Sequence, residues 1–460
     1  MLFRSTRGFL PETNIRRAAL EGIAPDGGLY LPKLWPQFLP DDMAAMRGKS
    51  YQDIAFHVLK PFLRDVILDN DLREIIRKSY AVFDAADITP LHGLGNNSVL
   101  ELFHGPTLAF KDIALQFVGH VFEYFLQGTG ERKTVVSATS GDTGPAAIAA
   151  LANRKNIDVF ILYPEKGPSD IQRKQMTCVD APNVYTIAVD GSFDDCQRIV
   201  KEMFADAALR EAWNHTTVNS INWLRIMAQI VYYFAAALKT EGKPTFVVPT
   251  GNFGNVFAGY AAMKCGLPVE RLVIASNSNN ILTRFFASGR MTPEPVKRTL
   301  SPSMDIQISS NFERLLFDLC DSDTTQVRGM MNDLRSKGGF AVSERQLELA
   351  RKVFSAGSSS DEETLATIAD VYKKYGMILD PHTAVGVSVA QRMSPKLSQP
   401  TVFLATAHPT KFPETIKKAL GLTLPMLPRI AALISKPERI VRLPANKQQI
   451  AAFINERKKK

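Results

Sequence analysis

From about Pro90 onward, short apolar runs alternate with stretches of helical periodicity, and this alternation restricts the fold more than any other feature. Residues 134–138, 159–163, 184–189, 246–248, 272–275 and 402–404 each read as a buried strand with a helix following. Strand, helix, strand at this spacing predicts an α/β fold of open, twisted, largely parallel sheets flanked by helices on both faces. Ligands of such sheets gather beyond the carboxyl ends of the strands. Three polar segments fall there: Thr139 to Gly144, Thr250 to Asn255, and Thr406.

The chain of 460 residues, 45% of them hydrophobic, has room for two or three cores. Residues 1–89 open on the turn-rich Ala24-Pro25-Asp26-Gly27-Gly28 and continue with helical patterns at 51–59 and 71–80, predicting a small, mostly helical amino-terminal domain. Glu241-Gly242-Lys243-Pro244 is the expected boundary between a first α/β domain, 90–240, and a second, 241–425. Residues 426–460 read as a basic tail with one last helix over 450–457.

Net charge is +9, of which the segment 436–460 supplies +6 through eight basic and two acidic residues. The body is therefore nearly neutral, and a solvated tail accounts for the excess better than a nucleic-acid surface. Cys178, Cys196, Cys265 and Cys320 form no CxxC pair and the seven histidines show no metal-ligand spacing, so neither disulfides nor a metal are expected. The apolar run 227–238 is shorter than the ~20 residues that span a bilayer, and the first residues lack a signal-peptide pattern. A cytoplasmic enzyme without a membrane or nucleic-acid partner is the expectation.

Lys111 draws the chemistry together. It stands in His104-Gly105-Pro106-Thr107-Leu108-Ala109-Phe110-Lys111-Asp112, ahead of a helical stripe over 113–126 that Gly128 ends. An ammonium in the first turn faces the positive end of the helix dipole, which favours the neutral amine, the form that condenses with an aldehyde. A lysine that merely snorkels from a helix end is the plain alternative. Gly251-Asn252-Phe253-Gly254-Asn255 leads from a strand into a helix, where glycines turn backbone amides toward an anion; an ordinary turn would look similar. Ser140-Gly141-Asp142-Thr143-Gly144 offers amides and hydroxyls to a carboxylate or caps the helix 145–153. Asn219-Ser220-Ile221-Asn222-Trp223-Leu224-Arg225 presents a guanidinium fork and neutral donors to a phosphate, or a structural arginine at a helix start. By contrast, Gly128-Thr129-Gly130-Glu131-Arg132-Lys133-Thr134 fails the spacing of a P-loop.

Together with Ala405-Thr406-Ala407-His408-Pro409, these junctions resemble the threonine synthases, pyridoxal 5′-phosphate enzymes, in the longer form found in many bacteria and fungi. The likeness runs from Ser5-Thr6-Arg7-Gly8 to about Glu414. It implies the tryptophan-synthase-β-like fold, covalent attachment of the cofactor to Lys111, and conversion of O-phospho-L-homoserine and water to L-threonine and phosphate. It further implies a cofactor-phosphate cradle at Gly251, Asn252, Phe253, Gly254 and Asn255, and Thr406 at the pyridine nitrogen. Ser140, Asp142 and Thr143 would bind the substrate α-carboxylate, and Asn219, Ser220 and Arg225 its phosphate. The family's wider relatives often have asparagine at the place of Asp142, so the role of that acid stays open, because an anion beside the pyridine 3′-oxygen is repelled unless protonated or bridged. Ser301 to Asp305 and Ser309 to Arg314 also resemble family segments without a role for any single residue; Asp380, His382 and His408 are candidate wall residues. The rival readings are a phospho-lyase releasing 2-oxobutanoate and a non-catalytic binding module on the same fold.

Overall fold

The computed structural model describes residues 1–393 and 397–459. Its strands are β1 (Leu2–Ser5), β2 (Thr13–Asn14), β3 (Tyr30–Pro32), β4 (Leu91–Leu94), β5 (Asn97–Glu101), β6 (Lys133–Ala138), β7 (Ile157–Pro164), β8 (Val184–Asp190), β9 (His215–Thr216), β10 (Thr245–Pro249), β11 (Arg271–Ser276), β12 (Arg290–Met291), β13 (Phe340–Ala341), β14 (Phe354–Ser358), β15 (Thr401–Ala405) and β16 (Val441–Pro444). All six apolar runs form strands. They lie in two separate sheets, ordered β16-β8-β7-β6-β9 and β14-β11-β10-β15-β5-β4. Every ladder in both is parallel except β4 with β5.

Burial explains why the runs are continuous rather than alternating. All eight residues of β7 and all five of β10 are buried, because helices cover both faces. The helix Trp223–Leu238 is buried along its whole length. A helix apolar on all sides can be stable only inside a core. It packs against Tyr51–Leu63 of the amino-terminal region, against Lys111–Leu126 and against Gly254–Lys264, so one helix ties together three parts of the chain.

The chain does not divide as consecutive segments. β4 and β5, ahead of the expected boundary at 241–244, join the six-stranded sheet, while β16, near the carboxyl end, joins the five-stranded one. The amino-terminal region holds the helices Ile15–Glu21, Pro40–Met46, Tyr51–Leu63 and Asp69–Tyr80, together with a three-stranded antiparallel sheet, β2-β1-β3, that its short runs did not announce. The expected solvated tail is corrected more strongly. β16 pairs in parallel with β8, and the helix Lys447–Arg457 buries Ile450 and Ile454 completely beside Trp213 and Val189. Apolar residues four apart on one helix face supplied the core contact that the surrounding charges obscured. Lys460, counted with that tail, lies outside the described residues.

Candidate active site

Lys111 is the first residue of the helix Lys111–Leu126 and is only 9% exposed, which excludes a snorkelling lysine. The turn before it is held by the segment after β15. Phe110 N donates to the Thr406 carbonyl at 2.9 Å, His408 N donates to that of Leu108 at 3.1 Å, and Ala109 bridges Ala407. This short antiparallel contact brings Thr406 beside Lys111. Leu108 adopts φ +62°, a left-handed conformation that costs a branched apolar residue about 1–3 kcal/mol and persists only where surroundings impose it.

Asp142 is the polar hub. The expected helix begins at Thr143 and ends at Leu151, and Asp142 occupies its cap position, but the carboxylate does not cap it. Instead Oδ1 accepts from Gln172 Nε2 at 2.9 Å and lies 2.6 Å from Lys411 Nζ, while Oδ2 accepts from Ser303 Oγ at 3.1 Å and lies 3.6 Å from Lys111 Nζ. Burial alone would raise the pKa of this group. The ammonium of Lys411, then that of Lys111, outweighs it and holds the carboxyl well below the usual carboxylate range. The same acid opposes the effect of burial on Lys111, which, reinforced by Lys411 and Arg225, still brings that ammonium down from 10.5 to about 8.

Lys411 is the residue that sequence reasoning missed. It ends the 3₁₀ turn Pro409–Lys411, is fully buried, and also donates to the Thr107 carbonyl at 2.7 Å. Its only signal was its place two residues beyond the Ala405-Thr406-Ala407-His408-Pro409 motif.

Around the second loop, Phe253 takes φ +63° as it caps the helix Gly254–Lys264, and its ring is wedged against Phe312 and Phe354. A Cβ on Gly251 would come within 3.0 Å of the Ser303 carbonyl, and one on Gly254 within 3.2 Å of Asn311 Nδ2 and 3.4 Å of Ser220 Cβ. At both glycines a side chain would be tightly packed, and its neighbours would have to shift by a few tenths of an ångström. Tyr232 and Tyr233 donate their hydroxyls to Asn255 Oδ1 at 2.5 and 3.0 Å, leaving the buried Nδ2 without a protein partner. Ser309 Oγ donates to the Gly251 carbonyl at 2.6 Å, and Asn311 Nδ2 donates to Asn252 O at 3.1 Å and Ser220 Oγ at 3.3 Å. The segments 301–305 and 309–311 therefore brace two loops at once.

Arg225, in the first turn of Trp223–Leu238, is 2% exposed and forms no ion pair among the described residues. Nη1 donates to the Val218 carbonyl at 3.0 Å, but Nε is buried without a partner, and burial brings the guanidinium down to about 10. Asn219 accepts from Ser137 Oγ at 2.6 Å, at the end of β6. Ser140 and Thr143 remain half-buried, with Thr143 starting its helix. The site thus draws Lys111, Asp142, Ser220, Gly254 and Arg225 together from four loops.

The wall residues also receive roles. His382 Nδ1 lies 2.9 Å from Asp380 Oδ1, and its Nε2 accepts from Ser303 N at 3.2 Å, so the proton must sit on Nδ1. His408 turns to Thr410 Oγ1 at 2.7 Å and packs against Phe103, while burial lowers its pKa to about 4.

Residues 84–407 match the family described as pyridoxal-phosphate dependent enzyme; 2–80 match threonine synthase N terminus, and 383–454 match threonine synthase, C-terminal. A threonine synthase of Pseudomonas aeruginosa is 46% identical over 462 residues, spanning 99% of this chain and 98% of its own. The chain belongs to the threonine synthase family. The crystal structure of a pyridoxal-phosphate-bound threonine synthase from Brucella melitensis matches with a TM-score of 0.96 at 46% identity, covering all of both chains. The yeast threonine synthase structure matches with a TM-score of 0.92 at 41% identity over 99% of this chain and 98% of its own. The protein is accordingly an enzyme dependent on pyridoxal phosphate, a lyase with the tryptophan-synthase-β-like fold. Its residues fit that cofactor. The chain provides a buried amine with a lowered pKa, Lys111, and a closely packed glycine loop with a buried, unpartnered nitrogen donor, Asn255 Nδ2.

Proposed function

We propose that this threonine synthase family member converts O-phospho-L-homoserine and water to L-threonine and phosphate in the cytoplasm, with Lys111 as the lysine that carries the cofactor. The observation behind this reading is Arg225, a buried guanidinium with no acidic partner among the described residues and an unpartnered Nε, next to but separate from the glycine cradle. Two phosphates need two grips. Gly251, Asn252, Phe253, Gly254 and Asn255 would hold that of the cofactor with backbone amides, the Asn255 amide and the helix start. Arg225, Ser220 and Asn219 hold that of the substrate, and Ser140, Asp142 and Thr143 line the place of its α-carboxylate.

Pyridoxal phosphate, when bound, supplies the electron sink for carbanions at the substrate. Lys111 takes and returns protons at Cα, Cβ and Cγ, a task suited to an amine of pKa about 8. Thr406 would offer the ring nitrogen a hydroxyl rather than a charge. Arg225 orients the leaving phosphate and keeps it within the site while water attacks Cβ.

The test is to measure phosphate, threonine and 2-oxobutanoate together from phosphohomoserine. Threonine equal to phosphate supports the synthase. 2-Oxobutanoate equal to phosphate means the lyase, and no phosphate from cofactor-loaded protein means a binding module.

A further inference from the structure

Asp142 is shared between two lysines of different kinds. Lys111 changes its charge in the proposed function, on which this inference rests only in taking Lys111 as the reacting amine. Lys411 is fully buried, with its ammonium fixed between Asp142 Oδ1 at 2.6 Å and the Thr107 carbonyl at 2.7 Å. Thr107 belongs to the turn that presents Lys111, and its amide and hydroxyl donate to the buried Asp112 at 2.8 and 2.7 Å. Lys411 thus clamps the 139–144 loop to the 104–110 turn.

We propose that Lys411 is a positioning residue: by binding Asp142 permanently, it weakens the hold of that carboxylate on the Lys111 proton. A buried carboxylate with Lys111 as its sole cation would pull the proton back whenever the amine gave it up, because an unpaired buried charge is costly. With Lys411 in place, Asp142 keeps a counter-ion through either charge state of Lys111. The charged groups around the pair are few. Lys111 faces Asp142, Lys411 and Arg225; Asp142 faces both lysines and His382, which is paired to Asp380; Asp112 faces Lys411. Removing Lys411 takes away a repelling cation and leaves Asp142 undivided, so Lys111 holds its proton to higher pH. Removing the charge of Asp142 leaves Lys111 facing cations only, and the change runs the other way.

The test is trace acetylation of the full-length, cofactor-free chain with acetic anhydride across pH, reading Lys111 by peptide mass spectrometry. Lys411→Met should move the midpoint of Lys111 reactivity upward by about one pH unit or more. Asp142→Asn should move it downward, and Lys411→Arg, which keeps the charge, should restore the wild-type midpoint. An unchanged midpoint in folded Lys411→Met overturns the proposal. Should that variant not fold, Lys411→Gln, which can still hydrogen-bond Asp142 and the Thr107 carbonyl, takes its place: an upward move supports the proposal and an unchanged midpoint overturns it. Neither cofactor nor substrate enters the measurement, so its failure is distinct from failure of phosphohomoserine turnover.

Discussion

Asp142 and Arg225 are both buried charges close to Lys111, yet the protein treats them in opposite ways. Asp142 has two lysines, an amide and a hydroxyl upon it. Arg225 has one backbone carbonyl and a bare Nε. The first is electrostatically complete without a ligand; the second lacks a counter-ion among the described residues. A buried charge that its own chain neutralises needs no ligand, whereas one left unmatched is costly and, in the proposed function, is matched by the substrate's phosphate.

Stability and turnover should therefore separate the two. The largest effect is expected from Asp142→Asn, which leaves Lys411 a buried cation without its anion. Breaking a buried pair from one side costs about 3–5 kcal/mol, so the melting temperature of the ligand-free protein should fall sharply. Equal melting temperatures would mean that Lys411 does not depend on Asp142 as its counter-ion. Arg225→Met should not lower the ligand-free melting temperature, since it removes an unmatched charge. It should instead abolish stabilisation by inorganic phosphate and reduce kcat/KM for phosphohomoserine by roughly one to two decades, the equivalent of about 1.5–3 kcal/mol for a charge-assisted hydrogen bond. A variant that still gains stability from phosphate would remove Arg225 from the anion site.

Gly251→Ala sharpens the contrast from the cofactor side. Its Cβ would sit 3.0 Å from both the Ser303 carbonyl and Ile306 Cδ1. Overpacking of this kind costs about 1–3 kcal/mol, and equilibrium dialysis should show weaker retention of pyridoxal phosphate with Arg225 untouched. The smallest effect concerns pH. Between pH about 8, where folded Lys111 loses its proton, and its ordinary 10.5, the unfolded chain binds the proton and the folded chain does not. Stability contributed by this group therefore rises with pH across that window. Lys111→Met should show a less positive slope of melting temperature against pH there; an identical slope would mean that Lys111 is not depressed in the fold.

What could be read from the sequence follows the range of the interactions involved. The six apolar runs became strands because each carries its own burial pattern, and the helices after Phe110, Asp142 and Phe253 begin within the last two residues of the loop motifs. Lys411 was hidden because its partner Asp142 lies far away in the chain, and neither periodicity nor local spacing records such a pair. β16 was hidden for a related reason. Of its four residues none is fully buried and two are charged or proline, so its place comes from the edge of β8 rather than from its own pattern. Asp142 is instructive in between: its position at a helix start was legible, but the cap it suggested was displaced by stronger partners from Gln172, Ser303 and Lys411.

Two buried lysines touching one carboxylate make the central assignment directly testable. Reduction of the yellow holoenzyme with borohydride fixes the cofactor to the lysine that carries it, and peptide mapping identifies that residue. The label is expected on Lys111, with none retained after reduction of Lys111→Ala. A label on Lys411, or covalent cofactor surviving in Lys111→Ala, would contradict it.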